Sequence, residues 1–389
     1  MSIHVGITGI GHYAGEIVVS NDDISAIIET ELKKKKLSLC GTDELTDEEK
    51  VAYLTSDDWQ RQRTGIVRRR HTKESTAYLA IQAALNCLKY SLHLSQEYGF
   101  IVVANVLPSF LNAPHVAAET AKGIGILLRD KLGLKNCLVV DAGAACNSYG
   151  AALHIGYAFI KSGMFKCGLV IGADKMSACV DHSDRNFFPL MGDAGAAIEL
   201  SRVTESNDSF PWQEKSFTAG IDTSGLYNIM TKVGGSAAPI TQQILAGDVK
   251  NPLAPRLDKL WQDGKKVRKD VIYLLCGPAG DFSKSVIKGA LDKAQLPLSA
   301  VNYIYPHQAN LRINEDIEKR TIEAGFKGKF VNTISEYGNT TSAAVPMSLS
   351  MSWENGNINE GAIALLLHFG AGYTYSTILT RWTLYPLPI

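Results

Sequence analysis

The sequence predicts an α/β fold built from two similar halves, and three observations lead to this prediction. Short apolar runs rich in β-branched residues alternate with helix-like stretches along the chain. Both halves show this rhythm, and each has a glycine-rich turn near its end, GDAGAAIEL at 192–200 and GNTTSAAVPMSLS at 338–350. The length of 389 residues allows either one large domain or two half-domains that share a core. We therefore expect layered α/β halves at 1–203 and 204–389.

The first half is predicted to contain five buried strands and three helices. The strands are continuous apolar runs bounded by Gly or Asp: Val5–Ile10, Phe100–Ala104, Cys137–Asp141, Gly168–Gly172 and Ala196–Leu200. The helices are Thr76–Tyr90, Ala117–Leu132 and Asn147–Ser162, and Gly163 is a suitable C-cap for the last of them.

The second half repeats this order. Predicted strands are Val271–Cys276, Val301–Tyr305, Ala362–Phe369 and Tyr375–Trp382, and predicted helices are Lys284–Ala294 and Asn310–Ala324. Two regions look like insertions or caps, because they are polar and contain charge runs or many turn formers. They are 29–57, which includes the run Lys33 to Lys36, and about 204–269. We expect the lysine run to be a solvated helix end, and attraction of an acidic carrier protein is the alternative.

Composition excludes several classes of protein. The 39 basic and 39 acidic side chains balance, so the broad positive charge of nucleic-acid binders is absent. Seven dispersed cysteines without a CxxC pair predict neither a disulfide framework nor a metal site. No apolar run is long enough to span a membrane, and the N-terminus lacks a leader pattern. We expect a cytoplasmic protein that binds neither nucleic acid nor membrane.

Cys146 is the first candidate for chemistry. It follows the strand CLVVD in the segment DAGAACNSYGAALHIG, at a predicted strand-to-helix junction. A helix N-terminus favours negative charge, so we expect a lowered thiol pKa and a reactive thiolate. Taken alone, however, a free cysteine is more often a small buried apolar residue.

His307 and Asn339 are the other candidates. His307 lies between a strand and a helix in NYIYPHQANLRI, and Asn339 lies in a turn before a helix in EYGNTTSAAVP. Both side chains can donate hydrogen bonds to a developing oxyanion. Each residue alone could equally be structural.

Five segments, DAGAAC, GDAGAA, PHQANLRI, YGNTTSAAVP and FGAGYTYS, occur in an order and spacing that resembles β-ketoacyl synthase III. The resemblance runs from Val5 to the C-terminus and is weakest across the two insertions. It implies a thiolase fold, with two pseudo-duplicated halves in five αβαβα layers, and a homodimer.

The resemblance also implies a reaction. An acyl group would pass from CoA or a carrier protein to Cys146, with the backbone N–H groups of Cys146 and Ala371 binding the oxyanion. His307 and Asn339 would then stabilise the enolate of the extender, which forms as carbon dioxide leaves a malonyl-type thioester; a β-ketoacyl carrier-protein thioester is the alternative extender. No permanent cofactor is implied; the substrates are acyl-CoA and phosphopantetheinylated acyl carrier protein.

For CoA and carrier binding, the resemblance points to Trp59, Arg63 and Arg312. For the neighbouring Arg68, Arg69 and Arg70, a solvated surface and a docking role both stay open. GDAGAA resembles a family signature, yet its glycines suit a turn into a core strand, so we do not assign Asp193 to catalysis.

The chain departs from housekeeping members of this family by being longer. If Pro114 is the proline that lines the acyl pocket, the small Ala113 before it favours a longer acyl chain; Phe110 is the other candidate for that wall.

These departures fit a ketosynthase of polyketide or other secondary metabolism as well as one of fatty-acid synthesis. An acyltransferase that forms an ester or amide, and a noncatalytic ketosynthase partner, stay open as alternatives.

Overall fold

Two five-stranded sheets form the frame of the molecule. The computed structural model describes residues 3–91, 93–106, 123–203, 217–233, 238–241, 244–245, 251, 253–382 and 384. The strands are β1 His4–Ala14, β2 Ile17–Ser20, β3 Arg68–His71, β4 Tyr98–Ala104, β5 Leu138–Ala142, β6 Cys167–Lys175, β7 Asp193–Val203, β8 Phe217–Ile221, β9 Ile229–Thr231, β10 Leu260–Gln262, β11 Tyr303–Pro306, β12 Lys329–Phe330, β13 Ile363–Gly370 and β14 Thr374–Arg381.

The first sheet has the order β1-β7-β6-β4-β5, and the second has the order β12-β11-β13-β14-β8. In the first, β4 pairs in parallel with β5 and β6, whereas β7 is antiparallel to both β6 and β1. In the second, β11 is parallel to β12 and β13, and β14 is antiparallel to β13 and β8. All strands of the first sheet precede residue 204 and all strands of the second follow it.

Helices lie between the sheets and on both outer faces. They are α1 Asn21–Cys40, α2 Asp47–Tyr53, α3 Asp57–Thr64, α4 Thr76–Leu88, α5 Gly123–Lys131, α6 Ser148–Lys161, α7 Gly264–Cys276, α8 Val286–Ala294, α9 Leu311–Glu323, α10 Ile334–Tyr337 and α11 Ala344–Glu354. The central layer consists of α6 and α11, each of which contacts strands of both sheets. Two further apolar clusters fill the outer faces, one beneath α4 and α5 and the other beneath α7, α8 and α9. The result is the predicted five-layered α/β architecture.

One predicted strand is wrong. Residues Val271–Cys276 form the C-terminal part of α7, which begins after Asp263, whose side chain accepts a hydrogen bond from the backbone N–H of Lys266. Its buried residues are Val267, Val271, Ile272, Leu275 and Cys276. This spacing is helical, and the charged residues that begin the helix lie outside the apolar run that predicted a strand.

The first insertion is attached by ion pairs. Lys35 donates to Asp181 at 2.7 Å and to the Ser183 hydroxyl at 2.5 Å, and the buried Lys36 pairs with Glu49. The expected solvated lysine run is therefore wrong for these two residues: they hold α1 against α2 and the loop that follows β6. Within the described ranges, no helix is long and apolar enough to cross a bilayer.

Candidate active site

Cys146 lies in the turn between β5 and α6, as predicted. The preceding Ala145 has φ 52°, a left-handed conformation that is unusual for a residue with a side chain. The Ser148 hydroxyl accepts from the Ala144 N–H at 2.7 Å and donates to the Ala145 carbonyl at 2.6 Å. Helices α1, α3 and α4 begin with a serine side-chain cap, whereas the side chain of Asn147 does not cap α6. The nucleophile turn is therefore fixed by backbone and serine contacts, and its helix end carries no side-chain cap.

The predicted low pKa of Cys146 is wrong. The pKa of the thiol is raised to about 12, first by burial and then by the carboxylate of Asp174, while the backbone N–H of Cys146 opposes both effects. Burial penalises the charged form more than this N–H favours it. The resting group is a neutral thiol.

The FGAG turn at the end of β13 packs directly on the nucleophile. A Cβ atom added to Gly370 would lie 2.8 Å from the backbone nitrogen of Cys146 and 2.7 Å from that of Asn147. Only glycine permits this approach. The next residue, Ala371, starts a short 3-10 turn, Ala371–Tyr373, directly after this contact.

His307 follows β11, and its position is set by the neighbouring strand and by Gln308. Its backbone N–H donates to the Leu367 carbonyl on β13 at 2.8 Å, and its ring packs edge-on against Phe369, with centroids 5.0 Å apart. The buried Gln308 amide donates to the carbonyls of Pro306 and Val331 and accepts from the N–H of Thr333. Sequence reasoning missed this contribution, although a glutamine in an apolar strand end was a signal for it.

The imidazole of His307 is neutral. Burial lowers its pKa to about 3, and its Nδ1 atom is buried without a hydrogen-bond partner among the described residues. His368 on β13 is equally buried, and its pKa is also lowered to about 3, first by burial and then by His307. A neutral imidazole can donate one hydrogen bond and accept another.

Asn339 lies in the turn between α10 and α11. Its backbone N–H donates to the Leu190 carbonyl at 2.7 Å, and its carbonyl accepts from the Gly192 N–H at 3.0 Å. The side-chain Oδ1 accepts from the N–H of Thr341 at 2.9 Å. Since a backbone N–H needs an acceptor, this bond fixes the amide orientation and leaves Nδ2 as the donor.

Contacts connect these groups into one site. Gly370 joins Cys146 to β13, and its neighbour Phe369 contacts His307. On the other side, Asp174 acts on the Cys146 thiol and accepts hydrogen bonds from Thr341 and Ser342, just beyond Asn339. The structure thus brings Cys146, His307, Asn339 and Ala371 to the same end of the two sheets.

The other predicted residues form a second cluster at the junction of α3 and α9. The Arg63 guanidinium lies 4.6 Å from the ring centroid of Trp59, and that of Arg185 lies 5.1 Å from it. Arg312 donates to the carbonyls of Arg61 and Gln62 at the end of α3 and pairs with Glu315. Sequence reasoning missed Arg185, which follows β6 far from Trp59 in the chain.

Arg69 is neither a solvated nor a docking residue. It is fully buried and donates to the side-chain oxygen of Asn21 at 2.7 Å and to the Pro189 carbonyl at 2.8 Å. Burial lowers the pKa of its guanidinium to about 10. Arg68 is exposed and pairs with Glu336, so β3 alternates between surface and core.

Asp193, in the GDAGAA segment, has structural contacts. It accepts from the backbone N–H groups of Thr72 and Ser177 and from the Ser177 hydroxyl.

Among the residues that the structure describes, no group of three or more His, Cys, Asp and Glu side chains is placed to hold a metal ion. Phe110, Ala113 and Pro114 lie outside the described residues, so the acyl-pocket wall stays a prediction.

Family models match both parts of the site. The model of 3-oxoacyl-[acyl-carrier-protein] synthase III matches residues 140–216, and the model of its C-terminal region matches 291–382. The chain is 31% identical over 382 residues to the β-ketoacyl-[acyl-carrier-protein] synthase III of Fusobacterium nucleatum subsp. nucleatum, covering 97% of this chain and 98% of that protein.

Solved structures share the fold. The 3-oxoacyl-[acyl-carrier-protein] synthase III of Aquifex aeolicus superposes with a TM-score of 0.74 at 25% identity, covering 97% of this chain and 100% of that one. The priming β-ketosynthase of the R1128 polyketide pathway gives a TM-score of 0.74 at 23% identity, with 98% of each chain covered. The chain therefore belongs to the β-ketoacyl-[acyl-carrier-protein] synthase III family, acyltransferases of the thiolase fold that form carbon–carbon bonds.

Proposed function

We propose that this enzyme transfers an acyl group from CoA or a carrier protein to Cys146 and then condenses it with a malonyl-type or β-ketoacyl carrier-protein thioester. The observation that carries this proposal is the packing of Gly370 on the Cys146 backbone. Since Ala371 directly follows Gly370, this contact supports an oxyanion site formed by the N–H groups of Cys146 and Ala371.

In the first step, the Cys146 sulfur attacks the thioester carbonyl. The S–H proton leaves the nucleophile and is delivered to the departing CoA or carrier thiolate, so no net charge is left in the site. Because the thiol pKa is raised to about 12, little thiolate is present before substrate binds. The rate then depends on stabilisation of the tetrahedral oxyanion by the two backbone N–H groups.

In the second step, a malonyl-type extender loses its carboxyl group as carbon dioxide. The electron pair of the broken C–C bond passes into the enolate, whose oxygen is bound by His307 and Asn339 Nδ2. A neutral His307 suits this role, because it donates a hydrogen bond without placing a second charge in a buried site. The enolate carbon attacks the acyl-cysteine carbonyl, the Cys146 thiolate leaves and takes up a proton, and a β-ketoacyl thioester is released.

The second cluster provides a site for the CoA or carrier end of the substrate. Trp59 offers an aromatic face and is flanked by the guanidinium groups of Arg63 and Arg185. Aromatic rings stack on adenine, and guanidinium groups stack on rings and bind phosphate. Arg312 is fixed to α3 and to Glu315, so in this scheme it contributes mainly by holding the helix that bears Trp59.

We also propose a homodimer formed through β5. This strand is at the edge of its sheet, and its side chains are partly or largely exposed along its whole length, including Leu138 at 44%. An exposed apolar edge strand is normally covered by another chain. A cytoplasmic location is supported by the seven cysteines, all of which lie among the described residues and none of which forms a disulfide there. We propose that the enzyme serves secondary metabolism or fatty-acid synthesis, and the polyketide priming enzyme with the same fold supports the former.

The test combines an acyl-CoA series with Cys146→Ala as the control. Intact mass should show an acyl adduct on the wild type only, and addition of malonyl-carrier protein should discharge it as a β-ketoacyl product. The acyl chain that loads fastest identifies the preferred length. Discharge only by alcohols or amines would establish the ester- or amide-forming alternative, and failure of every donor to label Cys146 would favour a noncatalytic partner.

A further inference from the structure

Asp174 is a buried carboxylate that the condensation scheme does not use. It lies near the end of β6 and is 2% exposed. Its Oδ1 accepts from the Val106 N–H at 2.8 Å. Its Oδ2 accepts from the Thr341 hydroxyl at 2.5 Å and from both the N–H and the hydroxyl of Ser342. Three of these four bonds therefore hold the segment that follows Asn339.

Thr341 needs such a restraint. Its φ of 50° is left-handed, which is uncommon for a β-branched residue and persists only where surrounding contacts impose it. The segment also packs directly on β6, because a Cβ atom on Gly172 would lie 2.6 Å from the Ser342 carbonyl oxygen. The hydroxyl–carboxylate bond and this close packing together fix the Thr341 backbone.

The fixed backbone controls the Asn339 amide. The Thr341 N–H is the group that binds Asn339 Oδ1, so its direction decides where Nδ2 points. We propose that Asp174 and Thr341 are positioning residues for Asn339, and that their hydrogen bond aims Nδ2 at the thioester carbonyl of the extender. This inference rests on the proposed function of Asn339. Neither residue touches substrate in this scheme.

Electrostatics argue against a role for Asp174 in activating the nucleophile. Burial raises the pKa of Asp174 to about 6, and its negative charge raises the pKa of Cys146. A group that activated the thiol would favour the thiolate instead. The contribution of Asp174 must therefore lie in its hydrogen bonds.

Thr341→Val tests the inference, because it removes the hydroxyl but keeps a β-branched side chain of similar shape. Two partial reactions are measured: acyl transfer to Cys146 by intact mass, and carbon dioxide release from malonyl-carrier protein. We expect decarboxylation to fall about 10- to 100-fold, less than the 10²–10³ of losing an oxyanion donor outright. Acyl transfer should stay within about threefold. Thr341→Ser, which retains the hydroxyl, should restore decarboxylation, and Thr30→Val on α1 is the matched surface control.

A double-mutant cycle separates positioning from general structural support. If Thr341 acts through Asn339, then Thr341→Val should add little to the loss caused by Asn339→Ala. Additive effects, or equal losses of acyl transfer and decarboxylation, would overturn the inference. Should Thr341→Val fail to fold, Thr341→Gly suits the left-handed backbone and also lacks the hydroxyl. Normal decarboxylation by that variant would likewise overturn it.

The same variants distinguish the proposed function of Asn339 from the positioning role of Thr341. If Asn339→Ala decarboxylates normally, the proposed function of Asn339 fails, and the role of Thr341 fails with it. If Asn339→Ala is defective while folded Thr341→Val is normal, the proposed function stands and only the positioning role is refuted.

Discussion

Replacing Gly370 by alanine should disable acyl transfer without disturbing the fold elsewhere. The φ of Gly370 is −155°, which alanine adopts freely, so the substitution carries no conformational cost. The added Cβ would meet the backbone nitrogens of Cys146 and Asn147 at 2.8 and 2.7 Å, whereas ordinary contact begins at 3.4 Å. Because both neighbours are backbone atoms, the FGAG turn must move away by roughly half an ångström or more.

The expected magnitude follows from the oxyanion site. Misaligning one of two donors costs about 10²-fold in rate, or about 2.7 kcal/mol in the activation free energy. The assay is single-turnover acylation of Cys146 by acyl-CoA, followed by intact mass. Gly289→Ala is the matched control, because it makes the same change in α8, where a Cβ would have no neighbour within 4 Å. Acylation of Gly370→Ala within threefold of the wild type would refute the role of this contact.

Three further predictions concern charge and burial. Alkylation of Cys146 by iodoacetamide should accelerate about tenfold per pH unit from pH 7 to 10, because burial raises the thiol pKa to about 12. Peptide mapping measures the alkylation rate of Cys146 relative to that of the exposed Cys40. A rate that reaches a plateau near pH 8 would contradict the prediction. The pKa of His307 is about 3 in the folded protein and about 6.5 in the unfolded chain, so the unfolded chain binds the extra proton. Stability is therefore lost as the pH falls through that window, by up to about 1.4 kcal/mol per pH unit. His307→Gln should reduce the loss of urea stability between pH 7 and 4, and an identical pH dependence in the variant would show that the ring is not buried as a neutral group. Arg69→Met should lower the free energy of unfolding by about 2–4 kcal/mol in chemical denaturation, because it leaves the oxygens of Asn21 and Pro189 without their donor. Arg68→Met, which removes an exposed ion pair, should lower it by less than about 1 kcal/mol. Equal effects would refute the distinction between a buried Arg69 and an exposed Arg68.

Short apolar strands and the order of motifs were sufficient to predict the layers and the turns that carry Cys146, His307 and Asn339. They could not predict that Val271–Cys276 is helical. An isolated apolar run fits either a strand or a buried helix, and the two are distinguished only when the charged first turn of the helix is included. The same limit applies to chemistry. The position of Cys146 at a helix start predicted a low pKa, whereas burial and Asp174 raise it. Such effects depend on contacts between residues far apart in sequence.

Arg69 and Arg185 show this limit for charged residues. Three consecutive arginines give no indication that the middle one enters the core, since the alternation of β3 becomes decisive only once its neighbours are known. Arg185 likewise meets Trp59 only in the folded molecule. Sequence located the segments that matter, and tertiary packing determined which face of each segment is used.

The close approach of Gly370 to Cys146 limits how this enzyme can be recombined with its relatives. The segment around the nucleophile and the β13–β14 hairpin are separated by more than 200 residues, yet they share a contact with no space for one additional carbon atom. Gly150 on α6 repeats this fit, since a Cβ there would lie 2.7 Å from the Ser376 side chain on β14. A chimera that inherits these two segments from different parents would join surfaces that were never adjusted to each other. Productive crossovers should therefore keep both segments from a single parent, whatever the origin of the insertions.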